Sequence, residues 1–157
     1  HLVPFGTSLS QVLELCGGMK DDLPLGAVVP GGASSNFMPP SALDVAVDFQ
    51  ALTDAGSMLG SGGAIFMAEN QDLLEAALNI TRFFRNESCG KCVPCRVGTE
   101  KAVALVEEAG NLSGETHEKL RLLHETLART SICGLGQIAL GPILSLAHNF
   151  SKHRTDG

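Results

Sequence analysis

Three cysteines lie within seven positions of one another, and a fourth lies further along the chain. The segment Cys89-Gly90-Lys91-Cys92-Val93-Pro94-Cys95 has the spacing C-x2-C-x2-C, which lets one tight loop place three thiolates around an iron-sulfur cluster. A 4Fe-4S cluster needs a fourth thiolate, and Cys133 is the candidate outside the loop. The four cysteines are therefore predicted to be the metal ligands of one 4Fe-4S cluster.

The residues between and beside these cysteines suit a negatively charged cluster. Gly90 permits a positive φ or a close backbone approach, and Pro94 fixes φ just before the last cysteine of the loop. Lys91 and Arg96 add positive charge, which favours the reduced, more negative state. The residues predicted to surround the ligands are Gly90, Lys91, Pro94, Arg96 and Gly134.

Two other kinds of site use similar cysteines. Four thiolates also suit tetrahedral zinc, although zinc sites usually use two separate C-x2-C pairs. Radical enzymes that use S-adenosylmethionine have C-x3-C-x2-C with no fourth cysteine, and their barrels are longer than this chain. The spacing favours a cluster, and a zinc-stabilised interaction module is the alternative.

Two further residues are weighed as additional ligands or tuning groups. Cys16 lies on the apolar face of a predicted helix, so a buried, small hydrophobic role is expected. His124 shares a helical face with Leu120 and Leu127. It is expected to be a partly buried or surface histidine, and a hydrogen bond to the cluster is the alternative. No catalytic residue is predicted.

Composition excludes several classes of function. The 157 residues carry a net charge of −6 and contain neither Trp nor Tyr, which disfavours nucleic-acid binding. No apolar stretch approaches the roughly 20 residues of a membrane helix, so direct membrane insertion is not expected. Five cysteines, three of them crowded together, fit a reducing compartment better than a disulfide framework.

The chain changes character near residue 70. Before it, short apolar runs at 26–29, 43–49 and 64–67 predict strands, and residues 7–17 predict a helix capped by Thr7 and ended by Gly17-Gly18. After it, helical periodicity predicts four helices. The first is led by Asn70, and the next two span 97–108, ending at Gly110, and 115–129. The last starts at Pro142. The predicted fold is α+β, with a small domain at 1–69 and a four-helix bundle at 70–157.

Two segments resemble one family closely. Residues 87–98 resemble the pattern E-S-C-G-x-C-x-P-C-R-x-G of the NADH-binding flavoprotein subunits of complex I, NAD-reducing hydrogenases and NAD-dependent formate dehydrogenases. Residues 131–136 and 142–145 resemble the second cysteine segment of that family. Residues 96–99 and 134–137 are more similar to the formate dehydrogenase and hydrogenase branches. Residues 1–69 resemble its soluble-ligand-binding β-grasp domain, without the first strand.

The resemblance implies electron transfer through the 4Fe-4S cluster. In the family, an N-terminal domain binds NADH and FMN, and electrons pass from FMN to this cluster. The chain is then expected to be the C-terminal part of such a subunit, or half of a split one, with no enzyme activity alone. Expected partners are a thioredoxin-like 2Fe-2S subunit and a multi-cluster or catalytic subunit. The expected location is the cytoplasm or the mitochondrial matrix side.

Overall fold

The computed structural model describes residues 1–150, which form two compact units. The first unit comprises His1–Gln71, and the second begins at Asp72. The first unit combines a small sheet with short helices, whereas the described part of the second unit is built from helices. The predicted α+β class is therefore confirmed. Within residues 1–150, no helix has both the length and the apolar character needed to cross a bilayer.

The sheet of the first unit has two antiparallel strands, β1 (Leu25–Val29) and β2 (Ile65–Ala68). Val28 pairs with Phe66 across the sheet, and an isolated bridge joins Val28 to Met38. The predicted strands at 26–29 and 64–67 are thus confirmed to within one residue at each end.

Two α-helices, α1 (Leu9–Leu15) and α2 (Phe49–Asp54), complete the core of the first unit. Short 3-10 turns lie at Lys20–Asp22, Gly32–Ser34 and Pro40–Ala42. The buried cluster consists of Leu9, Val28, Met38 and Leu52. Burying these side chains between the helices and the sheet is the main stabilising contribution in this unit.

The start of α1 differs from the prediction by one residue. Ser8, not Thr7, is the N-cap, and it forms a reciprocal capping box with Gln11. The Thr7 hydroxyl instead donates to the carbonyl oxygen of Pro4 at 2.7 Å. Gly17 and Gly18 follow the helix with positive φ, as the prediction of its end required.

The predicted strand at 43–49 is wrong. Its backbone groups bond to the start of α1 instead of to the sheet. The carbonyl oxygens of Val45 and Leu43 accept hydrogen bonds from the Leu9 and Ser10 amides at 3.0 and 2.9 Å. First-turn amides of a helix have no partner within the helix, so this segment satisfies them. The apolar run of residues 43–49 packs beside the core without forming a ladder.

Up to residue 150, the second unit contains the four predicted helices and one more. They are α3 (Leu73–Asn86), α4 (Val93–Ala109), α5 (Gly114–Thr130), the additional short α6 (Gly134–Ile138) and α7 (Gly141–Asn149). Helix α3 contacts α4 and α7, and α5 contacts α4, α6 and α7. Their buried apolar side chains include Ala77, Leu78, Ala102, Val103, Val106, Leu120, Leu127, Ile143 and Leu146.

Three helix ends in this unit bear on the predictions. Asp72 caps α3 by accepting from the Glu75 amide at 3.0 Å, so the predicted lead residue Asn70 is two positions too early. Helix α4 begins at Val93 and not at residue 97, because Pro94 is tolerated in a first turn, where no amide partner is needed. Gly110 ends α4 with a φ of 64°, as predicted.

A close approach of α4 and α5 positions the start of α4. A Cβ added to Gly98 would lie 3.1 Å from Leu127 Cγ, and closer still to Leu127 Cδ1. Leu127 is buried on α5. Glycine at position 98, one turn after Cys95, therefore lets α4 approach α5 this closely with Leu127 in place.

Candidate iron-sulfur site

The three clustered cysteines line the connection between α3 and α4. Cys89 is exposed in the loop, Cys92 is half-buried as the N-cap of α4, and Cys95 is buried in the first turn of that helix. Cys95 was expected just before the helix, and the earlier start of α4 places it inside. The first-turn amides of α4 and its dipole favour negative charge at this end.

Side-chain contacts close the loop around Gly90. Gly90 has a φ of 73°, which confirms that the predicted positive φ is used. Its amide donates to Ser88 Oγ at 3.3 Å. The Arg96 guanidinium donates to the Gly90 carbonyl oxygen. Arg96, predicted only as a source of charge, therefore also ties the loop to α4.

Cys95 is contacted by two hydroxyl groups that were not predicted from the sequence. Ser88 Oγ lies 3.3 Å from Cys95 Sγ, and either atom can be the donor. Thr99 Oγ1 donates to the Cys95 carbonyl oxygen at 2.8 Å. The available signal was that Ser88 directly precedes the first cysteine. These contacts fix both the side chain and the backbone of the buried cysteine.

The fourth cysteine lies in a segment that contacts the loop. The backbone amide of Ile132, and after it that of Cys95, lowers the pKa of the Cys92 thiol. Ile132 directly precedes Cys133, so the amide contact joins the two cysteine segments. A lower thiol pKa favours the thiolate, which is the form that binds metal.

Residues 131–136 also pack against Cys95. A Cβ added to Gly136 would lie 2.5 Å from Ser131 Oγ and 2.9 Å from Cys95 Cβ. Cys133 is exposed and is the N-cap residue of α6, and it lies between Ser131 and Gly136 in the sequence. By contrast, a Cβ added to Gly134 would meet no atom within 4 Å, so the glycine predicted at that position is not needed sterically.

The buried hydroxyl of Ser131 is a further feature of the site that was not predicted from the sequence. Its side chain is 6% exposed, and its Oγ has no hydrogen-bond partner within residues 1–150. Leaving a buried hydroxyl unpaired costs about 1–3 kcal/mol. Such a polar atom beside two cysteine segments indicates that the site accepts another group.

Four thiolates can bind either a single zinc ion or a 4Fe-4S cluster. Among the described residues, no three His, Cys, Asp or Glu side chains converge closely enough to hold one metal ion. Tetrahedral zinc needs all four sulfurs about 2.3 Å from one point. In a 4Fe-4S cluster each thiolate binds a different iron, so the sulfurs are spread more widely. The donor set and the unpaired Ser131 hydroxyl are compatible with that group.

The remaining predicted residues lie as follows. Lys91 is exposed in the loop, and Pro94 lies in the first turn of α4. Cys16 is exposed at the C-cap of α1, so the expectation that it is buried is wrong. Leu9, at the start of α1, is the buried residue of this helix, so the end that carries Cys16 lies outside the core. His124 is half-buried, as expected, and burial lowers its pKa.

Comparison with known proteins identifies the family. The sequence profile of the NADH-ubiquinone oxidoreductase-F iron-sulfur binding region matches residues 75–156, which include all four cysteines. The NADP-reducing hydrogenase subunit HndC of Solidesulfovibrio fructosivorans is 35% identical over 153 residues, 96% of this chain and 31% of that protein. An F-type subunit of NADH-quinone oxidoreductase from Rhizobium meliloti (strain 1021) is 37% identical over 150 residues, 93% of this chain and 36% of that protein.

A solved structure agrees with these relatives. It is the NAD+-reducing NiFe hydrogenase in the air-oxidized state, which matches with a TM-score of 0.80 and 28% identity over 96% of this chain and 26% of that chain. The chain thus spans about a third of the length of the hydrogenase subunit and of the F-type subunit named above. The predicted resemblance to flavoprotein subunits is confirmed. The chain belongs to the NADH-ubiquinone oxidoreductase-F iron-sulfur binding family, and its cofactor is a 4Fe-4S cluster.

Proposed function

We propose that Cys89, Cys92, Cys95 and Cys133 hold the 4Fe-4S cluster, and that the chain relays single electrons within an NADH-oxidising flavoprotein subunit. The observation that carries this proposal is the packing of residues 131–136 against Cys92 and Cys95. That packing brings the segment of the fourth cysteine to the loop of the other three. The bound cluster supplies a centre that accepts and releases one electron.

The four thiolates explain why the proposed role is relay and not catalysis. With one cysteine for each iron, no coordination position is left open to a substrate. Ser88 and Arg96 hold the loop in shape, and the burial of Cys95 keeps water from that side of the site. The residues therefore bind and shield the redox group, and none of them needs to move a proton.

The charge around the loop sets the direction in which the protein shifts the potential. Lys91, Arg96 and the N-terminal amides of α4 all favour additional negative charge at the site. Reduction adds one negative charge to the cluster. These groups therefore raise its reduction potential, so that it accepts electrons more readily from a donor.

The donor and the final acceptor belong to the parent protein in this proposal. We assign NADH oxidation and FMN to an N-terminal domain, because the chain spans only about a third of its relatives. Residues 1–69 would form the β-grasp-like spacer, and residues 70–157 the cluster domain. Electrons would continue to a thioredoxin-like 2Fe-2S subunit and to a multi-cluster or catalytic subunit. The cysteine usage favours a reducing compartment, the cytoplasm or the mitochondrial matrix side.

Anaerobic reconstitution of the chain with iron and sulfide tests the proposal. The expected product contains about four iron and four sulfide per chain and shows an EPR signal after reduction with dithionite. Cys133→Ser is expected to lose that signal. Cys16→Ser is the matched control, because Cys16 is an exposed cysteine at the end of α1, in the first unit.

Two results would contradict the assignment. Protein purified without air that contains about one zinc per chain and gives no reducible signal would indicate the zinc-stabilised interaction module instead. A complete, unaltered cluster in Cys133→Ser would show that another residue supplies the fourth ligand.

A further inference from the structure

Ser131 is the buried hydroxyl of the second unit that the fold does not explain. Ser131 is 6% exposed, and its Oγ lacks a hydrogen-bond partner within the described residues. Three other buried hydroxyls in this unit donate to backbone carbonyls about one turn earlier: Thr81 to Ala77, Thr99 to Cys95 and Ser145 to Pro142. Ser131 has left the helical conformation at the C-cap of α5, so it does not follow this pattern.

The backbone around Ser131 is fully bonded and holds the residue in place. Its amide donates to the Leu127 carbonyl oxygen at 3.0 Å. Its own carbonyl oxygen accepts from Gln137 Nε2 at 3.1 Å. Because both backbone groups are satisfied, the hydroxyl is the free donor of this residue. Its place is fixed by the α5 end and by α6.

The neighbours of this hydroxyl belong to the cysteine site. The point where a Gly136 Cβ would lie is 2.5 Å from Ser131 Oγ and 2.9 Å from Cys95 Cβ, so both atoms adjoin one small space. Because glycine has no Cβ, the backbone at position 136 can approach both side chains this closely. Ser131 is also two residues before Cys133, and the amide between them contacts the Cys92 thiol. The Ser131 hydroxyl therefore lies next to the segments that carry Cys92 and Cys95.

We propose that the Ser131 hydroxyl donates a hydrogen bond to a sulfur of the bound cluster or of its cysteine ligands and thereby sets the reduction potential. This inference rests on the function proposed above. A sulfur gains negative charge when the cluster is reduced, and a hydrogen bond from a donor stabilises that charge. Ser131 is thus a positioning and tuning residue, and it favours the reduced state.

Ser131→Ala in the reconstituted chain tests the inference. The variant is expected to bind the same amount of iron and sulfide as the unmodified chain. Its equilibrium constant for one-electron reduction should fall about tenfold, which is about 59 mV for such a couple. EPR-monitored redox titration measures this shift. Resonance Raman spectra should also show a smaller effect of D2O on the iron-sulfur stretching bands in the variant.

The control is Ser145→Ala, which removes a buried hydroxyl that already has an acceptor, the Pro142 carbonyl oxygen. It should leave the potential unchanged. If Ser131→Ala does not load the cluster, Ser131→Thr and Ser131→Val are compared, since the two differ in the hydroxyl and share one shape. Equal potentials in that pair, or in Ser131→Ala and the unmodified chain, would overturn the inference. Failure of the unmodified chain to bind a cluster would instead refute the proposed function.

Discussion

Replacing Gly98 with alanine tests whether the spacing of α4 and α5 supports the cysteine site. The added Cβ would lie 3.1 Å from Leu127 Cγ and nearer to Leu127 Cδ1. Leu127 is 1% exposed, so its side chain has no solvent-facing rotamer to adopt. We expect the clash to be relieved by moving α4 away from α5. Cys95, one turn before Gly98, would move with the helix.

The expected cost follows from two opposing effects. Overpacking a dense core costs about 1–3 kcal/mol. Alanine stabilises a helix interior relative to glycine by about 0.8–1 kcal/mol. With two Leu127 carbons this close to the added Cβ, the upper part of the overpacking range, about 2–3 kcal/mol, is expected, and the net destabilisation is about 1–2 kcal/mol. With a urea m-value of about 2 kcal/mol/M, the middle of the usual range, the unfolding midpoint should fall by roughly 0.5–1 M.

The assay needs signals other than intrinsic Trp or Tyr fluorescence, because the chain contains neither residue. Far-UV circular dichroism reports mainly on the second unit, which holds the longest helices. Visible absorbance of the bound cluster reports on the cysteine site. Both transitions should occur at lower urea in Gly98→Ala than in the unmodified chain, because the helix and the site move together.

Gly114→Ala is the matched control for this substitution. Gly114 begins α5, and a Cβ added there would meet no atom within 4 Å. Its midpoint should be unchanged or slightly raised. The double variant Gly98→Ala, Leu127→Ala should be more stable than the sum of the two single effects predicts, because the smaller side chain removes the clash. A midpoint for Gly98→Ala at or above that of the unmodified chain would refute the steric reasoning.

Two further predictions concern the loop. Ser88→Ala removes the contacts to Cys95 Sγ and to the Gly90 amide, so the cluster should be lost faster in a chelator challenge; an unchanged rate would contradict this. In the cluster-free chain, the Cys92 thiol should be alkylated by iodoacetamide with a midpoint at lower pH than in an unfolded peptide of the same sequence. Because its folded pKa is lowered, its stabilising contribution is complete above the unfolded pKa and is lost as pH falls through the folded pKa.

Local signals predicted most of the second unit and the position of the cysteine loop. Periodic apolar residues place α3, α5 and α7, and glycine at position 110 ends α4 with the expected positive φ. The C-x2-C-x2-C spacing alone identifies the loop. These features depend on neighbouring residues, and neighbours in sequence are visible in a single chain.

Features that depend on distant packing were missed. The run 43–49 has the apolar character of a strand, but its carbonyls bond to the first turn of α1. Nothing in that run indicates this long-range use. Likewise, the close approach of Gly136 to both Ser131 and Cys95 depends on how α6 packs on α4. An isolated serine two residues before a cysteine carries no comparable sequence signal.

The graded exposure of the four cysteines gives the site two different sides. Cys95 is buried and Cys92 half-buried, whereas Cys89 and Cys133 are exposed. The proposed tuning hydroxyl of Ser131 lies on the buried side, against Cys95. In the proposed function, a group held there would have its potential set by fixed protein dipoles on the buried side, and the exposed side would be open to a redox partner. Changes at exposed positions should therefore alter electron-transfer rates, and changes at the buried side should alter the potential.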